Sequence, residues 1–162
     1  MTVRDTETGN LFTQHNPRGD LCGFGETGAL PARRGAVSST LLQPGEASSA
    51  LPSELSSFHG GRFVVEVEWQ TPAGSGVGTA VPLSSESAAF WFFRPENLEM
   101  LVKVLDGCAL NDRYWVFAAA TTSVEYDLTV KDATTGEEKR WHNPLGVAAP
   151  AITDVNALAA CP

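Results

Sequence analysis

The sequence predicts an all-β fold: an antiparallel β-sandwich of about seven strands, of immunoglobulin-like or fibronectin-like type. Three observations predict it. Several short segments alternate apolar and polar residues with a period of two. Turn-forming residues separate them at regular spacing. The segments themselves are rich in β-branched and aromatic side chains.

Phe63-Val64-Val65-Glu66-Val67-Glu68-Trp69 puts Phe63, Val65, Val67 and Trp69 on one face and Glu66 and Glu68 on the other, the pattern of a half-buried strand. Thr71 to Gly76 reads as a loop, and Thr79 to Leu83 as a weaker strand that Pro82 confines to an edge or an end. Ala88 to Phe93 carries Phe90-Trp91-Phe92-Phe93, apolar on both faces, and Arg94-Pro95-Glu96-Asn97 ends it. In Leu98–Leu105, Met100, Val102 and Val104 alternate with Glu99, Leu101 and Lys103; the β-branched pair favours a strand over a helical turn. Asp106-Gly107 and Asn111-Asp112 bracket a turn before Tyr114–Phe117. Val124, Tyr126, Leu128 and Val130 then alternate with Glu125, Asp127, Thr129 and Lys131. Thr134-Thr135-Gly136 reverses the chain into a polar strand, Glu137 to His142.

Residues 31–57 have linker composition, rich in Ser, Ala and Pro with little periodicity. On either side of this linker the chain repeats itself. Thr2-Val3-Arg4-Asp5-Thr6-Glu7-Thr8-Gly9 aligns without a gap on Thr129-Val130-Lys131-Asp132-Ala133-Thr134-Thr135-Gly136 at an offset of about 127 residues. His15-Asn16-Pro17-Arg18-Gly19 then falls on His142-Asn143-Pro144-Leu145-Gly146, and Met1 on Leu128. After one residue of slip, Gly28-Ala29-Leu30 lies on Asn156-Ala157-Leu158. Roughly half of the continuous alignment is identical. The expected organisation is the closing hairpin and tail of a preceding module (1–30), a linker (31–57) and a complete sandwich (58–162). Met1 is then expected to be an interior strand residue of a longer array. A lone hairpin is marginal in water, so residues 1–30 are also candidates for self-association by strand addition.

Gly60-Gly61-Arg62-Phe63 through Trp69, Phe90–Phe93 followed by Glu96-Asn97-Leu98-Glu99, Val102 to Cys108, Tyr114–Phe117 and Asp127 to Asp132 together resemble a poorly characterised immunoglobulin-like repeat module of bacterial extracellular proteins. That resemblance spans about residues 58–158. It implies an exported, β-rich accessory domain and carries over no catalytic residue. Members often place Gly or another small residue where this chain has Cys108, so the resemblance lends no support to a disulfide there.

The net charge of -8, with a pI near 4.8, argues against nucleic acid and anionic membrane surfaces as partners. No stretch approaches the ~20 apolar residues of a membrane span. No apolar signal region follows Met1, so an extracellular or surface location rests on the resemblance. The three cysteines allow at most one intrachain bridge. Buried free thiols are one reading. A Cys108–Cys161 bridge that leaves Cys22 over is the other.

No nucleophile motif accompanies the histidines, and His15 and His142, each before Asn-Pro, read as turn-capping residues. Glu66 and Glu68 read as a solubilising face. Asp106, Asn111 and Asp112 offer oxygen ligands around one turn, a weak calcium candidate without EF-hand spacing; no other metal and no cofactor is expected. Trp69 is expected in the core. Trp141, in a polar strand, and Trp91, with one face free, are the candidate stacking residues for a sugar.

The leading expectation is therefore a non-catalytic structural or adhesive module that contacts neighbouring copies or another protein. The alternative is a carbohydrate-binding accessory domain of an extracellular enzyme.

Overall fold

In a computed structural model, residues 1–15, 17 and 56–161 are described. The fold is all-β and antiparallel. After a short N-terminal hairpin, β1 (Thr2–Arg4) and β2 (Leu11–Thr13), come β3 (Ser56–Phe58), β4 (Phe63–Thr71), β5 (Gly74–Val77), β6 (Thr79–Ser84), β7 (Ser87–Trp91) and β8 (Leu98–Asp106). A helical turn, α1 (Cys108–Asn111), leads to β9 (Tyr114–Ala120), β10 (Glu125–Asp132), β11 (Glu138–Asn143) and β12 (Ile152–Leu158).

Two sheets share one core. The first has the order β11-β10-β4-β3, with β5 also paired to β4; the second has the order β12-β9-β8-β7-β6. The alternation read from the sequence supplies the inner faces. Phe63, Val65, Val67, Leu128 and Val130 of the first sheet, and Phe90, Val102, Val104 and Val116 of the second, are completely buried. Burying such a side chain stabilises by about 1.5–3 kcal/mol. Trp69 packs against this core while remaining partly exposed.

Leu98–Asp106 is a strand, as the β-branched residues predict. Three elements differ from the sequence reading. Ser56–Phe58 pairs with Val65–Phe63, so the folded module begins inside the stretch read as linker. The loop around residue 74 is a tight hairpin whose return strand, β5, pairs with β4. Ile152–Leu158 is an additional strand on the edge of β9, with a register break between Asp154 and Leu158. Cys22 and Gly28-Ala29-Leu30 of the N-terminal tail, and residues 31–55 of the linker, lie outside the described residues.

The N-terminal hairpin reproduces the β10–β11 hairpin at the offset that aligns the sequences. Thr2↔Thr13, Val3↔Phe12 and Arg4↔Leu11 correspond to Thr129↔Arg140, Val130↔Lys139 and Lys131↔Glu138. The turns share their two carboxylate–amide bonds. Asp5 Oδ1 accepts from the amides of Glu7 (2.9 Å) and Thr8 (3.2 Å). Asp132 Oδ1 accepts from those of Thr134 (2.7 Å) and Thr135 (3.3 Å). Gly9 and Gly136 close the two turns at φ 75° and 78°, the left-handed region that glycine enters without strain.

Gly107 is needed for space rather than backbone freedom. A Cβ there would lie 2.2 Å from Trp115 Nε1 and 2.8 Å from the Arg113 carbonyl. Gly107→Ala is expected to displace the indole, break its 2.8 Å bond to Asn111 Oδ1 and cost about 1–3 kcal/mol. Thermal melts together with tryptophan emission test this; an unchanged melting temperature would refute it.

Candidate functional site

The residues singled out in the sequence do not converge. Trp141 is not a free outward platform. It pairs with Leu128, whose side chain points into the core, so it shares the inner face and packs against the core at the sheet edge. From there it contributes, after burial (which acts the other way), Lys139 and the Asn156 amide, to the position of the Asp154 carboxyl below its ordinary range. The run of charged neighbours made it read as exposed, yet those neighbours divide between two faces: Lys139 lies on Trp141's side, Glu138 and Arg140 on the other. Trp91 is partly exposed on β7, on the opposite sheet.

Two of the three calcium candidates, Asp106 and Asn111, already hydrogen-bond within the protein. Asp106 Oδ1 accepts from the Cys108 amide at 2.8 Å. Asn111 Oδ1 accepts from Trp115, and its amide donates to the Val155 carbonyl at 2.8 Å. Asp112 caps the helical turn in a left-handed conformation. Among the described residues no group of three or more His, Cys, Asp or Glu side chains is placed to hold a metal. Cys108 and Cys161 form a disulfide, with Cα atoms 5.6 Å apart.

His142 is not the turn cap. That task falls to the buried Asn143, whose amide donates to the carbonyls of Val124 (3.2 Å) and Val147 (3.0 Å). His142 instead meets Asp127 across the strands, Nδ1 to Oδ1 at 3.1 Å.

Asp127 lines a polar surface cleft. This cleft of about 440 Å³ opens on the first sheet, with Glu68, Trp69, Gln70, Glu125, Asp127 and Arg140 among its lining. Arg140 lies between two carboxylates, 3.0 Å from Asp127 and 3.3 Å from Glu68. The hydrogen bond from Arg140 holds the Asp127 carboxyl below its ordinary range against the opposing effect of burial, with a further contribution from His142. The cleft thus presents fixed acceptors beside a guanidinium. It has the groups to hydrogen-bond a polar ligand. A histidine–carboxylate pair becomes catalytic when its other ring nitrogen meets a nucleophile. Among the described residues no Ser, Thr or Cys hydrogen-bonds to His142.

A second cluster, unnoticed in the sequence, is internal. Arg62 donates to the fully buried Asp132 from Nη2 (3.2 Å) and Nε (3.3 Å), to Tyr114 Oη (3.3 Å) and to the Ala160 carbonyl. Its guanidinium covers the Phe63 and Tyr114 rings at 5.1 and 4.9 Å. His59 joins through edge contacts to both rings and a 2.8 Å contact with the Val104 carbonyl. One arginine therefore links β4, β9, the end of β10 and the C-terminal tail. Residues 62 and 132 are distant in sequence, and only the β4–β10 register brings them together.

Comparisons with protein-family models, curated proteins and solved structures return no match. Among the described residues no helix is long and apolar enough to cross a membrane.

Proposed function

We propose that this chain is a non-catalytic structural or adhesive module of a secreted or cell-surface bacterial protein, an immunoglobulin-like sandwich occurring in tandem. The observation that carries this reading is the closing hairpin, present twice with the same register and the same turn bonds. A sandwich that recurs along a chain needs its last hairpin once per copy. The disulfide supports an oxidising compartment. The ionised side chains support a scaffold: Arg62, Asp132, Lys139 and Asp154 hold strands to one another. The pairing of β4 with the distant β10 is a non-local link that supports a sandwich, while the β6–β9 meander departs from immunoglobulin connectivity. The partners are neighbouring copies of the module or another protein.

The test is molar mass by light scattering, with and without reductant, on the full chain and on residues 56–162. The shorter fragment is expected to melt cooperatively as a monomer. If it fails to fold without residues 1–55, the module boundary and the tandem reading fail together. Turnover of any member of a hydrolase substrate panel would overturn the non-catalytic assignment.

The cleft favours a second reading, carbohydrate binding. Hydroxyl groups can donate to Glu68 and Asp127 and accept from Arg140 and Gln70, beside the Trp69 ring. On a glycan array, binding lost in Arg140→Ala and retained in Trp141→Phe would select this reading. An array with no signal would remove it.

A further inference from the structure

The cleft on the first sheet contains one carboxylate that the fold leaves unpaired. Register sets its outer face: Glu68 pairs with Asp127, and Gln70 with Glu125. Acids directly opposite on paired strands repel unless a cation lies between them. Arg140 is that cation for Glu68 and Asp127, at 3.3 and 3.0 Å. His142 Nδ1 meets the other oxygen of Asp127 at 3.1 Å. Glu125 is half-buried and lines the same cleft, yet among the described residues its carboxylate makes no hydrogen bond and no ion pair. The lining therefore carries three carboxylates against one guanidinium, and that guanidinium is already engaged.

We infer that the cleft takes an amino sugar with a free, protonated amine, and that Glu125 is the carboxylate that receives the amine. The inference rests on the carbohydrate reading above and names its ligand class. Charge is the first argument. An anionic sugar brings a further negative group to a lining whose one guanidinium lies between two carboxylates, and such like-charge contact costs affinity. A neutral sugar strips water from Glu125 without a charged donor in exchange. An ammonium group replaces that water with a charge-assisted hydrogen bond. Size and spacing are the second argument. The volume of about 440 Å³ lies in the range of small-ligand sites. Glu125 and Asp127 are two residues apart on one face of β10, about 6–7 Å along the strand, which matches the spread of substituents across one pyranose ring. An amine on Glu125 therefore leaves hydroxyls of the same ring facing Asp127 and Arg140. A lysine side chain supplies the charge without those hydroxyls, and so satisfies Glu125 alone.

The test is calorimetric titration of the full-length chain at about pH 6, below the usual range of such amines. The probes are a glucosamine hexamer and its fully N-acetylated counterpart, which share backbone and length and differ in the charge on the amine. The glucosamine hexamer is expected to bind about tenfold or more tightly, the difference that one charge-assisted hydrogen bond supplies. Glu125→Gln keeps the shape and removes the charge, and should bring the two hexamers within about twofold of each other. Its melting temperature should match the wild type, because the Glu125 carboxylate has no partner within the fold to lose. Equal binding of the two hexamers by the wild type, tighter binding of the acetylated one, or a preference that survives Glu125→Gln overturns the inference and leaves the carbohydrate reading standing. Trilysine binding as tightly as the glucosamine hexamer shows that the cleft reads charge and not the sugar, and overturns both. If neither hexamer binds, the amino-sugar inference fails, and the glycan array decides the carbohydrate reading separately.

Discussion

Reduction of the Cys108–Cys161 bridge is expected to cost about 4 kcal/mol of stability, from the chain entropy of a loop with a sequence separation of 53. A domain of this size is stable by about 5–15 kcal/mol, so the loss is a large fraction of the total. Expressed as a melting temperature it amounts to roughly 15–30 °C. The loop contains β9 to β12, which means that the bridge ties the tail to the turn that opens the second half of the module. Other contacts also hold the tail: Leu158 is fully buried, and Arg62 donates to the Ala160 carbonyl. These persist without the bridge, so the reduced protein is expected to fold, but marginally. Thermal melts of the wild type with and without reductant, beside a Cys108→Ser/Cys161→Ser variant, measure the effect. Cys22→Ser serves as the control that reductant acts through this pair alone. A shift equivalent to less than about 1 kcal/mol would mean that the native contacts already confine the tail in the unfolded ensemble, contrary to the loop-entropy argument.

How far the sequence revealed this architecture depends on the kind of signal each element carries. β4, β8 and β10 were legible because each buries alternate large side chains, and a one-residue slip would expose all of them. β5 was not, because Gly74 to Val77 contains two glycines and so displays no alternation. β12 was missed because Ile152-Thr153-Asp154-Val155-Asn156 puts polar residues among its apolar ones, and a register break interrupts its pairing with β9. The hairpin repeat was fully legible, since identity at a constant offset needs no structural inference. The polar contacts were the least legible. Trp141 and Arg140 are neighbours in sequence, yet one packs at the core edge and the other lies in the cleft. Asp127, Arg140 and His142 come together only through the β10–β11 register, and Arg62 and Asp132 only through β4–β10. Period-two reasoning assigns a face to each residue, while the cross-strand partner is a property of register.

Asp132→Ala is expected to destabilise the module by about 3–5 kcal/mol, the usual cost of removing one member of a buried ion pair. Two losses combine. The amides of Thr134 and Thr135 lose their acceptor, and Arg62 keeps its charge, at 24% side-chain exposure, without the carboxylate that faces it. Asp132→Asn separates them: it retains an acceptor for the turn and removes only the charge, at an expected cost of about 1–3 kcal/mol. The acid dependence follows from the same contacts. Burial acts to raise the Asp132 pKa, but the two amides and the Arg62 guanidinium outweigh it, leaving the carboxyl below its ordinary value. A group whose folded pKa is depressed contributes stability that is complete above the unfolded value, near pH 4, and disappears as pH falls through the folded one. Asp154 and Asp127 are shifted in the same direction, Asp154 by Lys139 overcoming burial and Asp127 chiefly by Arg140, so wild-type stability should decline in acid from three carboxylates together. Both substitutions at 132 should make that decline shallower, because the variants have already lost what acid would remove. Urea unfolding measured from pH 7 down to pH 2 distinguishes the cases. A cost below about 1 kcal/mol for Asp132→Ala, with the wild-type acid slope intact, would mean that water replaces the carboxylate around Arg62 and that the link between β4, β10 and the tail is carried by packing alone.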